Sequence, residues 1–328
     1  MTVPKLGFLG VGWIGRHRMA AMLATGVVEA AAICDPLPEM IAAAQALAPD
    51  AVVVDSLDAM LGMDLDGIVI ASPSAMHADQ SVQALEAGAA VFCQKPLGRD
   101  ATEAARVVAA AREADRLLSV DFSYRYTAGM TRIADLVRGG TLGDVFAVDL
   151  TFHNAYGPDK PWFYDRALSG GGCVMDLGVH LVDLALWVLG FPEVAPTVEA
   201  QLFAEGRPLH GSDAVEDYAV ASVTLATGAV VRLACSWRLH AGQDAVIAAS
   251  FYGTRGGATM RNVGGSFYDF VAEHHVGTER HLLTDAAEPW GGYAAAAWAR
   301  QLAEDRRFDP AAEQLVDVAQ VLDRIYAG

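Results

Sequence analysis

The stretch KLGFLGVGWIG, Lys5 to Gly15, decides how this chain is read. Lys5–Leu9 is a short apolar run of strand type, and Gly10-Val-Gly12-Trp13-Ile14-Gly15 follows it directly and opens a helix that runs to about Gly26. Alone, a glycine pattern is weak. Between a strand and a helix each glycine has a mechanical use: a tight turn, close approach of a pyrophosphate, and close helix–strand packing. The helix start adds free N–H groups for phosphates. Asp35 lies 20 residues after Gly15, at the end of the second strand, where a carboxylate can hold the hydroxyls of an adenine ribose. That carboxylate would repel a 2′-phosphate, and no lysine or arginine occurs between Asp35 and Lys95. NAD is therefore the expected cofactor, with NADP as the alternative that Arg16 or Arg18 would have to rescue.

From this unit the pattern extends outward. Strands are read at Val28–Cys34, Ala51–Val54, Gly67–Ala71, Ala90–Cys93 and Leu117–Phe122, alternating with helical segments. Asp100 with Glu103 three residues later is a capping-box pattern for one of them. Such alternation predicts a parallel sheet covered on both faces, an α/β Rossmann domain over residues 1–121. After Phe122 the pattern changes. A helix over Met130–Arg138 and a strand over Val145–Phe152 precede a long stretch, Val194 to about Leu283, of period-two alternation with glycine turns. The hairpins Tyr218–Leu225 with Val230–Trp237, and Val246–Tyr252 with Ala258–Arg261, predict an α+β domain over residues 122–328 with an open-faced, mostly antiparallel sheet. Two helical stretches, Tyr293–Arg306 and Ala311–Tyr326, close the chain.

Composition narrows the function. The 328 residues carry a formal charge of −17, which disfavours nucleic acid and anionic membrane as partners. No uninterrupted apolar run approaches the roughly 20 residues of a bilayer span. The opening MTVPKLGFLG lacks a basic region followed by an apolar stretch and a cleavage site, so a cytoplasmic protein is expected. Cys34, Cys93, Cys173 and Cys235 have no paired spacing and read as reduced thiols, with no metal site expected.

The chemistry is sought in three places. Ser72, Pro73 and His77 lie in the loop after the fourth strand, and Gln94 and Lys95 follow the fifth, both at the end of the sheet where such folds hold ligands. Lys95 is one of only three lysines. The third place is Ser169–Asp183, SGGGCVMDLGVHLVD. On a helix at about 100° per residue, Val174, Leu177, Leu181, Leu184, Ala185 and Val188 form an apolar stripe, with Asp176, His180 and Asp183 in a narrow wedge opposite. A carboxylate one turn before an imidazole can orient it and set its charge. The glycines would let backbone approach a ligand closely. A solvated polar face beside a flexible loop explains the same stretch equally well.

Together these residues resemble the Gfo/Idh/MocA family of glucose–fructose oxidoreductase, inositol dehydrogenase and rhizopine catabolism proteins. The resemblance rests on GVGWIG at Gly10–Gly15, CDP at Cys34–Pro36, SPSAMH at Ser72–His77, CQKPLG at Cys93–Gly98, FSYRY at Phe122–Tyr126 and GGGCVMDLGVHLVD at Gly170–Asp183. It implies a catalytic lysine at Lys95, aspartate at Asp176 and histidine at His180. It implies cofactor contacts from Gly10, Gly12, Trp13, Ile14, Gly15, Asp35, Ser72, Pro73, His77, Gln94 and Lys95. Substrate contacts are implied at Tyr124, Arg125, His153, Asn154, Trp162 and His180, and a homodimer or homotetramer built on the open sheet. One departure stands out: the family usually has Glu where this chain has Gln94. The function so implied is hydride transfer between NAD(P) and a secondary alcohol or ketone of a sugar, cyclitol or related polyol. Oxidation of dihydrodiols or aromatic hydroxyaldehydes, reduction of keto-sugars, and non-catalytic nicotinamide sensing are the alternatives.

Overall fold

Strand β1, Lys5–Leu9, has every side chain after Lys5 buried, as a central strand covered on both faces must. The computed structural model describes residues 3–209, 214–285 and 287–328, and its strands fall into two sheets. Strands β2 (Glu29–Cys34), β3 (Val52–Val53), β4 (Gly67–Ile70), β5 (Ala90–Cys93) and β6 (Leu118–Val120) complete the first. Their order is β3-β2-β1-β4-β5-β6 and every pairing is parallel. The order reverses between β1 and β4, and the loops that leave the carboxyl ends there carry Gly10–Gly15 and Ser72–His77.

This unit takes in the chain up to Ser123 together with Gly291–Val316. A division at residue 121 leaves that second segment with the other domain, but its packing puts it here. In the helix Tyr293–Glu304, Ala294, Ala295, Trp298, Ala299 and Leu302 are buried in the same core as Leu6, Phe8 and Phe92. Trp298 sits 5.7 Å from Phe92, and the Leu117 N–H donates to the Arg306 carbonyl at 2.8 Å. Helical periodicity shows that one face is apolar. It does not show which sheet the face will meet.

The second unit, Tyr124–Trp290 with Asp317–Gly328, holds a nine-stranded sheet. Its strands are β7 (Val145–Asn154), β8 (Val194–Ala204), β9 (Arg207–Pro208), β10 (Tyr218–Leu225), β11 (Val230–Ser236), β12 (Ala245–Gly253), β13 (Gly257–Asn262), β14 (Phe270–Val276) and β15 (Glu279–Thr284). The order is β15-β14-β13-β12-β7-β11-β10-β8-β9. Both expected hairpins form, and every pairing is antiparallel except β7 with β11. Residues 219, 221, 223 and 225 of β10 are buried while those between them are not, so one face packs and the other is open. The helices Ala128–Arg138 and Val179–Leu189 cover the packed face. The open face carries Val220, Tyr252 and the Arg232–Asp149 ion pair.

The stretch Arg166–Leu189 is long and apolar enough, by length and composition, to cross a membrane, a property that counting uninterrupted apolar residues had not shown. It packs instead into the protein's own core, where 78% of its most apolar 18 residues are buried.

Candidate active site

In the first unit, the helix Trp13–Leu23 starts from Gly12 with no side chain capping its free N–H groups. The three glycines differ in what confines them. A Cβ on Gly10 would lie 2.6 Å from the Ala71 carbonyl, and one on Gly15 would lie 2.1 Å from the Gly10 oxygen. A Cβ on Gly12 would meet nothing within 4 Å. Gly10 and Gly15 are thus required by the turn, whereas Gly12 leaves room beside an uncapped helix start, which fits a pyrophosphate. Asp35 is fixed by this loop: Val11 N–H donates to Oδ2 at 2.8 Å and Leu37 N–H to Oδ1 at 2.9 Å. Trp13 is exposed and Ile14 half-buried on the first turn. Of the two nearby arginines, Arg16 rests on Met40 Sδ at 3.8 Å, and Arg18 is buried against Asp121. These residues suit NAD, whose chemistry when bound is hydride acceptance.

The two neighbouring loops are tied to each other. His77 is buried with Nδ1 2.7 Å from the Pro96 carbonyl and Nε2 2.7 Å from the Ser72 carbonyl. Burial pushes its pKa down, against two carbonyls that favour a second proton. Its ring therefore joins the chain's own backbone on both sides. Ser72 Oγ donates to Gln80 at 2.5 Å, and Pro73 precedes the helix Ser74–Glu86 as its N-cap. Gln94 is buried, Lys95 is half-buried, and the Lys95–Pro96 bond is cis.

In the second unit the helix that bears His180 is not uniform. Val174–Gly178 forms a π turn, with the Val179 N–H donating to the Val174 carbonyl, before the α-helix Val179–Leu189 begins. Such turns often mark functional sites. The expected polar wedge is divided accordingly. Asp176, in the π turn, accepts a hydrogen bond from the Trp237 indole Nε1 at 3.0 Å. His180 is half-buried, with its ring 5.0 Å from Tyr124 in an edge arrangement and 6.4 Å from Phe152. Asp183 is not on a solvated face: it is 1% exposed and forms a two-point ion pair with Arg125, Nε lying 2.9 Å from Oδ2. Its carboxyl is pushed up by burial and pulled down by Arg125. The apolar content of the helix explains this, since Val179, Val182 and Leu186 are buried on the side assigned to polar residues.

The glycine run also differs from expectation. A Cβ on Gly171 would lie 1.9 Å from the Tyr326 hydroxyl, and one on Gly172 would lie 1.9 Å from the Glu216 carbonyl oxygen. The close approach is therefore to the chain's own groups. The buried Glu216 carboxylate accepts N–H bonds from Gly172 and Val174, both at 2.9 Å, and a hydroxyl bond from Tyr326 at 2.8 Å. It occupies the helix start as an internal acceptor, its carboxyl pushed up by burial and pulled down by these donors.

The remaining expected residues line β7 and the loop after it. His153 Nδ1 is 2.7 Å from Ser236 Oγ, its ring stacks on Tyr218 at 5.9 Å, and burial lowers its pKa. Asn154 Oδ1 is buried with no hydrogen-bond partner among the described residues. Trp162 stacks on Phe163 at 3.8 Å, and Phe163 and Tyr164 lie 6.3 and 5.6 Å from Trp237, so an aromatic row leads away from Asp176. Tyr124 packs 4.6 Å from Trp290. Among the described residues, no group of three or more His, Cys, Asp or Glu side chains gathers as metal ligands would. Sequence reasoning missed the partnerships of Asp121, Glu216, Trp237 and Tyr326; none stands in a motif, and each acts on residues far away in the chain.

Comparison with known proteins agrees with this architecture. Residues 5–122 match the oxidoreductase family with an NAD-binding Rossmann fold, and residues 130–259 match the GFO/IDH/MocA C-terminal domain. The chain is 29% identical to D-glucoside 3-dehydrogenase of Escherichia coli K12 over 78% of its own length and 76% of that protein's. It is 28% identical to inositol 2-dehydrogenase of Rhizobium meliloti over 62% of this chain and 60% of the other. The crystal structure of GenD2 from gentamicin A biosynthesis, in complex with NAD, superposes with a TM-score of 0.83 at 25% identity, covering 100% of this chain and 94% of that one. An NAD-type loop closed by Asp35 and a matching second domain make this chain a member of the GFO/IDH/MocA family of NAD-binding oxidoreductases.

Proposed function

We propose that the protein is a dehydrogenase that oxidises a secondary alcohol of a sugar, cyclitol or related polyol, using NAD in preference to NADP. The observation that carries the acid–base assignment is Asp176, fixed by the Trp237 indole in a π turn that leads into half-buried His180. His180 takes the hydroxyl proton as the alcohol is oxidised and returns it in reduction. Asp176 orients the imidazole and stabilises its charged form. Lys95 donates to the same oxygen and stabilises developing alkoxide charge. His153 and Asn154 hold other hydroxyls of the substrate, and the unpartnered Asn154 Oδ1 suits a hydroxyl donor. Glucoside and inositol dehydrogenases among the relatives support the polyol class. The row Trp162, Phe163, Tyr164 and Trp237 favours a second reading, a substrate with an aromatic or glycosidic portion.

The test is reduced-cofactor formation with NAD and NADP separately, against inositols, aldoses, glycosides and aromatic diols. NAD-dependent turnover of one polyol subclass is expected. Lys95→Ala and His180→Ala should each lower kcat by roughly 10²–10⁴-fold with NADH still bound. Near-wild-type turnover in both variants would sink the assignment. The open sheet face is proposed as the contact of a homodimer or homotetramer, and a monomeric mass in solution would exclude it.

A further inference from the structure

Gln94 follows β5 and Asp121 follows the neighbouring strand β6, where the Asp121 N–H pairs with the Cys93 carbonyl at 2.9 Å. Gln94 Nε2 donates to Asp121 Oδ2 at 2.7 Å. The same oxygen accepts Arg18 Nε at 2.5 Å, and Ser123 Oγ donates to Oδ1. Gln94, Asp121, Arg18 and Ser123 are all buried. Arg18 comes from the helix that opens at the glycine loop, and its Nη1 also lies 3.0 Å from His17 Nδ1. The pocket therefore holds one arginine, one carboxylate and one neutral amide whose donor end is committed to the carboxylate.

A glutamate at position 94 would set a second carboxylate against Asp121 at the distance now spanned by a hydrogen bond. Two buried carboxylates facing one guanidinium cannot both be charged without large cost, so one of them would have to keep a proton. We propose that this buried cluster is built for a single carboxylate and that Asp121 supplies it. Asp121 is thereby the positioning residue that, through Gln94 and Arg18, couples the Lys95 loop to the cofactor-binding helix. The functional importance of that coupling rests on the reading of Lys95 given above.

The experiment compares wild type, Gln94→Glu, Asp121→Asn and the double variant as full-length proteins. Melting temperature and NADH affinity are read at pH 5.5 and pH 8, and the kcat–pH profile with an active polyol. His17 on the cofactor helix, Cys93 at the end of β5, whose thiol burial pushes up to about 12, and Lys95 on the loop are the other titratable groups nearby, and all three are common to all four proteins. Gln94→Glu should weaken NADH binding about tenfold at pH 8 and much less at pH 5.5, where the introduced carboxyl can keep a proton and still donate. Its kcat relative to wild type should fall between pH 5.5 and pH 8, as the introduced carboxyl loses its proton. Asp121→Asn leaves Arg18 unanswered and should also cost about tenfold. The double variant restores one carboxylate and one amide and should return to within about threefold of wild type.

Additive losses in the double variant, or a Gln94→Glu defect equal at both pH values, would overturn the proposal. Should Gln94→Glu fail to fold, the double variant decides: folding with NADH bound supports the exchange, and failure to fold or bind overturns it. Binding and melting need no substrate. An absence of turnover with every polyol would thus count against the functional reading alone, whereas turnover with an additive cycle would count against this one alone.

Discussion

Two glycine-rich segments lead into helices in this protein, and they are used in opposite ways. Gly10–Gly15 leaves its helix start uncapped, with open space beside Gly12. Gly170–Gly172 leads into a helix start already filled by the Glu216 carboxylate and closed over by Tyr326. Glycine spacing marks a close backbone approach in both. What approaches, a ligand anion or the chain's own acceptor, depends on whether a buried carboxyl is supplied from elsewhere in the fold.

Substitution to alanine separates the two loops. Gly172→Ala drives a methyl into the Glu216 backbone and should cost about 3 kcal/mol, lowering Tm by roughly 6–12 °C. Gly12→Ala meets no protein atom and has an ordinary φ of −57°, so stability should hold while NADH affinity falls about tenfold or more. Calorimetry and fluorescence titration check the pair, and equal losses of stability would erase the distinction. Trp237→Phe keeps most of the ring and removes the donor to Asp176. It should lower kcat about tenfold and leave the NADH Kd unchanged; an unaltered kcat would show that Asp176 needs no such support.

The smallest effect concerns pH. His17 and His77 in the first unit and His153 in the second are all held below 6.5, chiefly by burial. The unfolded chain takes up their protons first as pH falls, so the stability they contribute is full above pH 6.5 and lost below it. Tm should decline from pH 7 to pH 5, and His153→Gln should flatten part of that decline. A flat profile in the wild type would show that these rings bind protons equally in the folded and the unfolded chain.

The legible parts of this fold were local. Strand β1, its glycine loop and Asp35 lie within about thirty residues, and each constrains the next through backbone geometry alone. The hairpins were legible because alternation and turn residues sit side by side. Lys95, Asp176 and His180 were picked out by motif. Their surroundings were not, since Trp237 reaches Asp176 from 61 residues away, and on the same segment Arg125 pairs with Asp183 from 58 away and Glu216 holds Gly172 from 44 away. A helix with apolar residues all round has no face that sequence can label as solvent, which is why the sequence leaves Asp183 open between a chemical wedge and a solvated face.

The return of Gly291–Val316 to the first unit bears on how such a protein could be made or recombined. A ribosome that has finished residue 121 has released every strand of the parallel sheet, yet the indole that seats against Phe92 is still about 180 codons away. The cofactor-binding layer must wait, its flank unfilled, until Tyr124–Trp290 of the other unit has been synthesised. A genetic swap that exchanged the two halves at a single crossover would separate Trp298 from the partners it was selected to fit. The units are interlaced rather than strung in series, so inheritance would favour moving them together.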